Sequence, residues 1–111
     1  MFVKLKVVLV ILMTSLNDLI AANDVVIFSW LRCPYCKKVK EFLFAKKIEY
    51  KDYLLEQMGV EGESIHAEIK RRHNHETVPA VFIKGQFIGG CDDTLALDKA
   101  GKLAPMLLSK L

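Results

Sequence analysis

Cysteine is scarce in this chain and unevenly placed: of three, Cys33 and Cys36 form a close pair and Cys91 stands alone. That excludes the dense, even-numbered disulfide framework of a small secreted domain. A second Cys-x-x-Cys is missing too, which argues against a zinc ribbon; His73 and His75 would have to complete a half zinc site. Long basic runs with interleaved aromatics are absent. The net charge of +3 reads as a slight lysine excess on a solvated surface, so nucleic acid is not expected as a partner. No internal repeat, low-complexity stretch or linker interrupts the chain. What remains, 52% apolar and 26% charged residues in 111, is the composition of one globular domain able to bury its own core.

The longest apolar run is too short for a membrane-spanning helix, which needs about 20 residues. It is Val7–Met13, preceded by Lys4 and Lys6 and followed by Asn17 and Asp18. Residues 1–15 read as an apolar N-terminal extension or a leader, and residues 16–111 as the domain. A cleavage site of small residues is poorly formed, because cutting at Ala21-Ala22 would remove an amphipathic helix carried by Leu16, Leu19 and Ile20 and ending near Asn23.

The informative stretch is Arg32-Cys33-Pro34-Tyr35-Cys36. The apolar run Val25–Phe28 before it predicts a buried strand, Val25–Ser29, and Val39, Phe42 and Leu43 after it predict one face of a helix reaching about Lys46. Pro34 suits the first helical position, where its fixed φ fits and its missing N–H is not needed. Cys33 then falls near the N-cap and Cys36 near the third helical position. The unpaired N–H groups and positive dipole end there favour a thiolate over a thiol, and Arg32, Lys37 and Lys38 add positive charge. A thiol brought from about 8.5 towards ambient pH is mostly ionised and still nucleophilic. Spacing lets Cys36 close a small ring on Cys33, so attack by Cys33 and resolution by Cys36 is the expected order.

Downstream, Lys47–Leu54 alternates and predicts a second strand, joined to the first as a right-handed parallel unit. Gly59 and Gly62 suggest a loop before a helix from about Glu63 to His73, with Ile65 and Ile69 on its apolar face. Thr77-Val78-Pro79 opens the strand Ala80–Ile83. Lys84-Gly85-Gln86 makes a tight turn, and the chain returns from Phe87, so the sheet is mixed. Asp93 or Thr94 is expected to cap a helix beginning near Leu95, and Leu103, Met106, Leu107 and Leu111 give a last helix its core stripe.

Three pieces, Cys33-Pro34-Tyr35-Cys36, Thr77-Val78-Pro79 and Gly89-Gly90-Cys91-Asp92-Asp93, stand in an order and at spacings that resemble a glutaredoxin of the dithiol class, over about residues 17–110. The resemblance implies an α/β thioredoxin-like three-layer fold, a four-stranded mixed sheet flanked by about five helices, with a cis Val78–Pro79 peptide. It implies glutathione as the reducing co-substrate and no metal. Thr77 and Pro79 would shape the site. Val78 would pair with the tripeptide's cysteine moiety. The Gly90-Cys91-Asp92 backbone would take the γ-glutamyl carboxylate, Asp92 or Asp93 the ammonium, and Tyr35 would flank the sulfur. Pro34 and Arg32 would support the thiolate. Two departures stand out. Trp30 replaces the family's usual lysine, and His75-Glu76 precede Thr77 where arginine or glutamine is common, so glutathione affinity weaker than the family norm, or a higher Cys33 pKa, is expected.

The resulting expectation is a monomeric, cytoplasmic glutathione-dependent thiol–disulfide oxidoreductase acting on glutathionylated proteins and on low-molecular-weight or protein disulfides. The alternatives are a dimeric module holding a [2Fe–2S] cluster through Cys33 and glutathione, or a dithiol oxidoreductase of the secretory route. Membrane association through residues 1–15 belongs with the last.

Overall fold

Strand β1, Val25–Ser29, is buried at all five positions. Such a strand must be covered on both faces, which is why it reads as a continuous apolar run rather than an alternating one. In the computed structural model, which describes residues 15–108, it lies inside a four-stranded sheet of order β2-β1-β3-β4. Strands β2 (Lys51–Leu54), β3 (Ala80–Ile83) and β4 (Gln86–Gly89) complete that sheet. β1 runs parallel to β2, with Ile27 opposite Asp52, and antiparallel to β3, with Ile27 opposite Val81. The helices are α1 (Leu16–Ala22), α2 (Pro34–Ala45), α3 (Gly59–His73), α4 (Cys91–Lys99) and α5 (Leu103–Leu108). The expected three-layer, mixed-sheet, thioredoxin-like architecture is therefore the one observed. The apolar run Val7–Met13 and Leu111 lie outside the described residues.

Period-two alternation divides the core between the two faces. Val26 and Phe28 join Leu16, Ile20, Ile65 and Ile69, beneath α1 and α3. Val25 and Ile27 join Val39, Leu43, Cys91 and Leu103, beneath α2, α4 and α5. A polar clasp then fixes α2 to the sheet. Lys40 Nζ lies 2.8 Å from Asp52 Oδ2, and Ser29 Oγ donates to Asp52 Oδ1 at 2.5 Å. Ser29 is fully buried at the end of β1, so this clasp holds the strand, its neighbour and the helix in one register just where the chain turns towards Cys33.

Several boundaries differ from the sequence expectation, each for a local reason. β2 starts at Lys51, not Lys47, because residues 46–48 close α2. Lys47 adopts φ +60°, its N–H donates to the Phe44 carbonyl, and Ile48 N–H donates to the Leu43 carbonyl at 2.9 Å. That is a Schellman cap with its Leu43–Ile48 apolar contact in the core, made without glycine. The hairpin turn is Lys84-Gly85 alone, both at positive φ, and the returning strand begins at Gln86 opposite Ile83. α4 begins at Cys91 with Gly90 as its N-cap, rather than near Leu95 with Asp93 or Thr94 as the cap. Asp93 sits in the first turn and accepts the Gly90 N–H at 3.0 Å, while Thr94 N–H and Oγ1–H both donate to the Gly90 carbonyl.

Gly59 and Gly62, expected in a loop, instead open α3. Gly62 is there because the helix passes so close to the preceding short 3-10 turn, Leu55–Gln57, that a Cβ at 62 would run into the Leu55 carbonyl. Alanine in place of a helical glycine ordinarily stabilises by about 0.5–1 kcal/mol. At this position the sign reverses: Gly62→Ala is expected to destabilise by about 1–3 kcal/mol, the usual cost of overpacking. Urea denaturation of the two proteins checks it, and a variant as stable as the parent would show that the backbone contact is slack.

Candidate active site

Cys33 occupies the N-cap of α2 with extended backbone (φ −137°, ψ 107°), and Pro34 fills the first helical position. The Cys36 N–H donates to Cys33 Sγ at 3.1 Å, and Lys37 N–H donates to the Cys33 carbonyl at 3.0 Å. Cys33 and Cys36 are joined as a disulfide with Cα atoms 5.2 Å apart. They differ sharply in access. Cys36 is 1% exposed, whereas Cys33 is only partly buried at the mouth of the helix. An incoming disulfide meets Cys33 first, and Cys36 is placed to attack from behind.

Facing this pair is the loop before β3. The Val78–Pro79 peptide is cis, and the Val78 carbonyl oxygen lies 3.7 Å from Cys33 Sγ. Thr77 is exposed, Val78 half-buried and Pro79 buried. His75 fixes this loop from below. Its Nε2 lies 3.1 Å from the Pro79 carbonyl, its ring packs against Phe87 at 5.1 Å, and its edge reaches towards Gly90. The loop and the start of α4 are thus held by one imidazole. Neighbouring His73 stacks on Phe87 at 4.3 Å; burial, then the charges of Arg72 and His75, lower its pKa below 6.5. The two histidines considered for a half zinc site are engaged with Phe87 and the Pro79 carbonyl instead.

At the third corner, Gly89 at φ +127° leaves no room for a side chain against the Asp93 carboxylate. Gly90 is half-buried, Cys91 buried, and Asp92 and Asp93 exposed at the N-terminal turn of α4. Burial pushes the Cys91 thiol above its ordinary range, with Lys38 opposing and Asp92 adding to the shift. Around Cys33, Arg32, Pro34 and Tyr35 are exposed, Tyr35 by 58%.

The residues that sequence reasoning missed, Glu56, His66 and Lys70, tie the site to distant parts of the chain. Trp30 meets His66 edge-to-face at 5.7 Å, and His66 Nε2 lies 2.6 Å from the Glu76 carbonyl. The Glu76 carboxylate pairs with Lys70 at 3.3 Å, which offsets its charge near the loop. Leu31 N–H donates to the Glu56 carboxylate, tying the turn before Cys33 to the segment after β2. None of these partners shares a sequence motif with the dithiol, so no local signal marks them.

The sequence model of a family described as Glutaredoxin matches residues 25–88. Glutaredoxin-C4, chloroplastic, of Oryza sativa subsp. japonica is 40% identical over 91 residues, covering 82% of this chain and 68% of that protein. Among solved structures, the dithiolic glutaredoxin 2-C-Grx1 of Trypanosoma brucei brucei superposes with a TM-score of 0.79 at 46% identity, covering 86% of this chain and 97% of that one. A buckwheat glutaredoxin in complex with glutathione gives a TM-score of 0.78 at 37% identity, with 82% of each chain covered.

The contrast between Cys33 and Cys91 yields a direct expectation. In the reduced protein at pH 7, iodoacetamide modifies Cys33 within minutes and leaves Cys91 untouched until the chain is unfolded, as read by peptide mass spectrometry. Modification of Cys91 at a comparable rate would contradict its burial.

Proposed function

Because the chain belongs to the glutaredoxin family, its Cys33–Cys36 pair is a thiol–disulfide redox centre, and we propose that glutathione supplies its electrons and that glutathionylated proteins are among its substrates. One observation carries most of this reading: Cys33 Sγ sits at a helix N-cap, receives the Cys36 N–H, and lies against the Val78 carbonyl. A sulfur in that position is stabilised as an anion by the helix end. It attacks the glutathionyl sulfur of a mixed disulfide. The Cys33–S bond forms as the substrate S–S bond breaks, and the protein thiolate leaves with the electron pair and takes a proton. A glutathione thiolate then attacks the sulfur on Cys33, releasing glutathione disulfide and restoring the Cys33 thiolate. With a protein disulfide, Cys36 attacks the mixed disulfide instead, the second substrate thiol leaves, and two glutathione molecules reduce the Cys33–Cys36 bond.

The groove offers the cysteine and γ-glutamyl parts of the tripeptide chemically matched partners. Val78 can pair with its cysteine backbone as an added strand would. Backbone N–H groups of Cys91 and Asp92, at the start of α4, suit the γ-glutamyl carboxylate, whereas the Gly90 N–H expected to join them is taken by Asp93. The Asp93 carboxylate is engaged by the Gly90 N–H, which leaves exposed Asp92 as the better-placed partner for the ammonium. Trp30 brings no charge to the opposite end, so the glycine carboxylate is held weakly. Chemistry of this kind runs best where the glutathione pool is kept reduced, as in the cytoplasm. Residues 16–111 act as a single unit in this scheme, without a second protomer.

The test is turnover of a glutathionylated peptide with glutathione as the reductant. Cys33→Ser loses roughly three orders of magnitude or more, as removal of a nucleophile does. Cys36→Ser keeps the activity, and Trp30→Lys lowers the KM for glutathione. Loss of turnover in Cys36→Ser as well would mean an obligatory dithiol route and would contradict the single-thiol steps.

A further inference from the structure

A groove of about 360 Å³ opens beside Cys33 and runs along α2. Its floor is one face of that helix: Cys33, Lys37, Lys40 and Phe44 follow at spacings of four, three and four, the pattern of a single helical stripe. Trp30 and Leu31 form a second wall, and Glu41 and Tyr50 complete the lining. Trp30, Leu31 and Phe44 are 42%, 64% and 79% exposed, an unusual concentration of large apolar surface around one reacting atom. The wall is also stiff. Trp30 is braced by His66 and Leu31 by Glu56, while Lys40 is neutralised by Asp52 in the clasp below.

We propose that this groove seats the polypeptide flank of a protein disulfide substrate, one with a large apolar residue within about five positions of the attacked half-cystine. The inference rests on the thiol–disulfide exchange assigned above. The reacting sulfur forms one end of the groove, so what lies in it is joined to the disulfide under attack. From Cys33 to Phe44 is eleven helical residues, about 16 Å, or about five residues of extended chain. A tripeptide joined at Cys33 has one residue beyond its cysteine, enough to reach Trp30 at the near end of the groove but not Phe44; a protein flank reaches both. Charge does not select further, because Lys40 is paired with Asp52 and Glu41 stands in the lining beside Lys37.

The experiment uses dithiothreitol-reduced protein, freed of reductant, reacting in a single turnover with two nine-residue peptide homodisulfides. One carries leucine on both sides of its cysteine, the other serine in the same places. Bis(2-hydroxyethyl) disulfide is the small control. The wild type is expected to react about tenfold faster with the apolar peptide, the worth of one good anchor. Phe44→Ser cuts that preference to about twofold, keeps the control rate, and Phe44→Leu restores the preference; Phe44 is so exposed that the core is not at issue. An undiminished preference in Phe44→Ser, or an equal loss on the small control, overturns the proposal. So does self-association in sedimentation that Phe44→Ser abolishes without altering peptide rates, because the face would then meet a second copy. Because no glutathione is present, failure here is separate from failure of the glutathione-dependent cycle.

Discussion

A single hydrogen bond, from the Cys36 N–H to Cys33 Sγ, sits at the junction of everything else in this protein. An α-helix leaves its first N–H groups without intrahelical partners and usually recruits a serine, threonine or aspartate oxygen to meet them. Here the cap is sulfur. The helix therefore stabilises a cysteine anion with the same groups that would otherwise need capping. Pro34 permits this at no cost, since it brings no N–H of its own to the first turn. The chemistry of the dithiol and the start of the helix are one arrangement seen twice.

That bond is only as fixed as the helix that provides it. α2 is held by Val39 and Leu43 on the underside of the sheet, by the Lys40–Asp52–Ser29 clasp at its middle, and by the Schellman turn at Lys47. The facing loop is held independently, by His75 reaching the Pro79 carbonyl and packing on Phe87. Two separately anchored elements thus meet across Cys33 Sγ and the Val78 carbonyl. Exchange between sulfurs needs near-linear approach and close placement more than it needs a large pocket, and rigid elements on both sides supply that placement.

The parts legible in the sequence are those written in nearest neighbours. Four consecutive apolar residues announce a doubly covered strand, and Cys33-Pro34-Tyr35-Cys36 after it announces a capped helix. Positions whose structure depends on distant backbone were not legible. Gly62 reads as a loop residue until the Leu55 carbonyl is seen against it. Lys47 and Ile48 alternate like a strand, yet their amides close the preceding helix. Asp93 looks like an N-cap, but Thr94 satisfies the Gly90 carbonyl and moves the helix start back to Cys91. The braces of the site, Trp30 on His66 and Leu31 on Glu56, span 36 and 25 residues and carry no motif at all. Local chemistry was in the sequence; the supports that aim it were in the fold.

The central claim is that the mouth of α2 makes Cys33 an anion at neutral pH, and the thiolate absorbance of the reduced protein tests it most directly. In Cys36→Ser the residue-36 N–H remains while the partner thiol is gone, and Cys91 stays buried, so the transition below pH 8 belongs to Cys33. The account predicts a midpoint at least one unit below the free-thiol value of about 8.5. A midpoint at or above that value would contradict it.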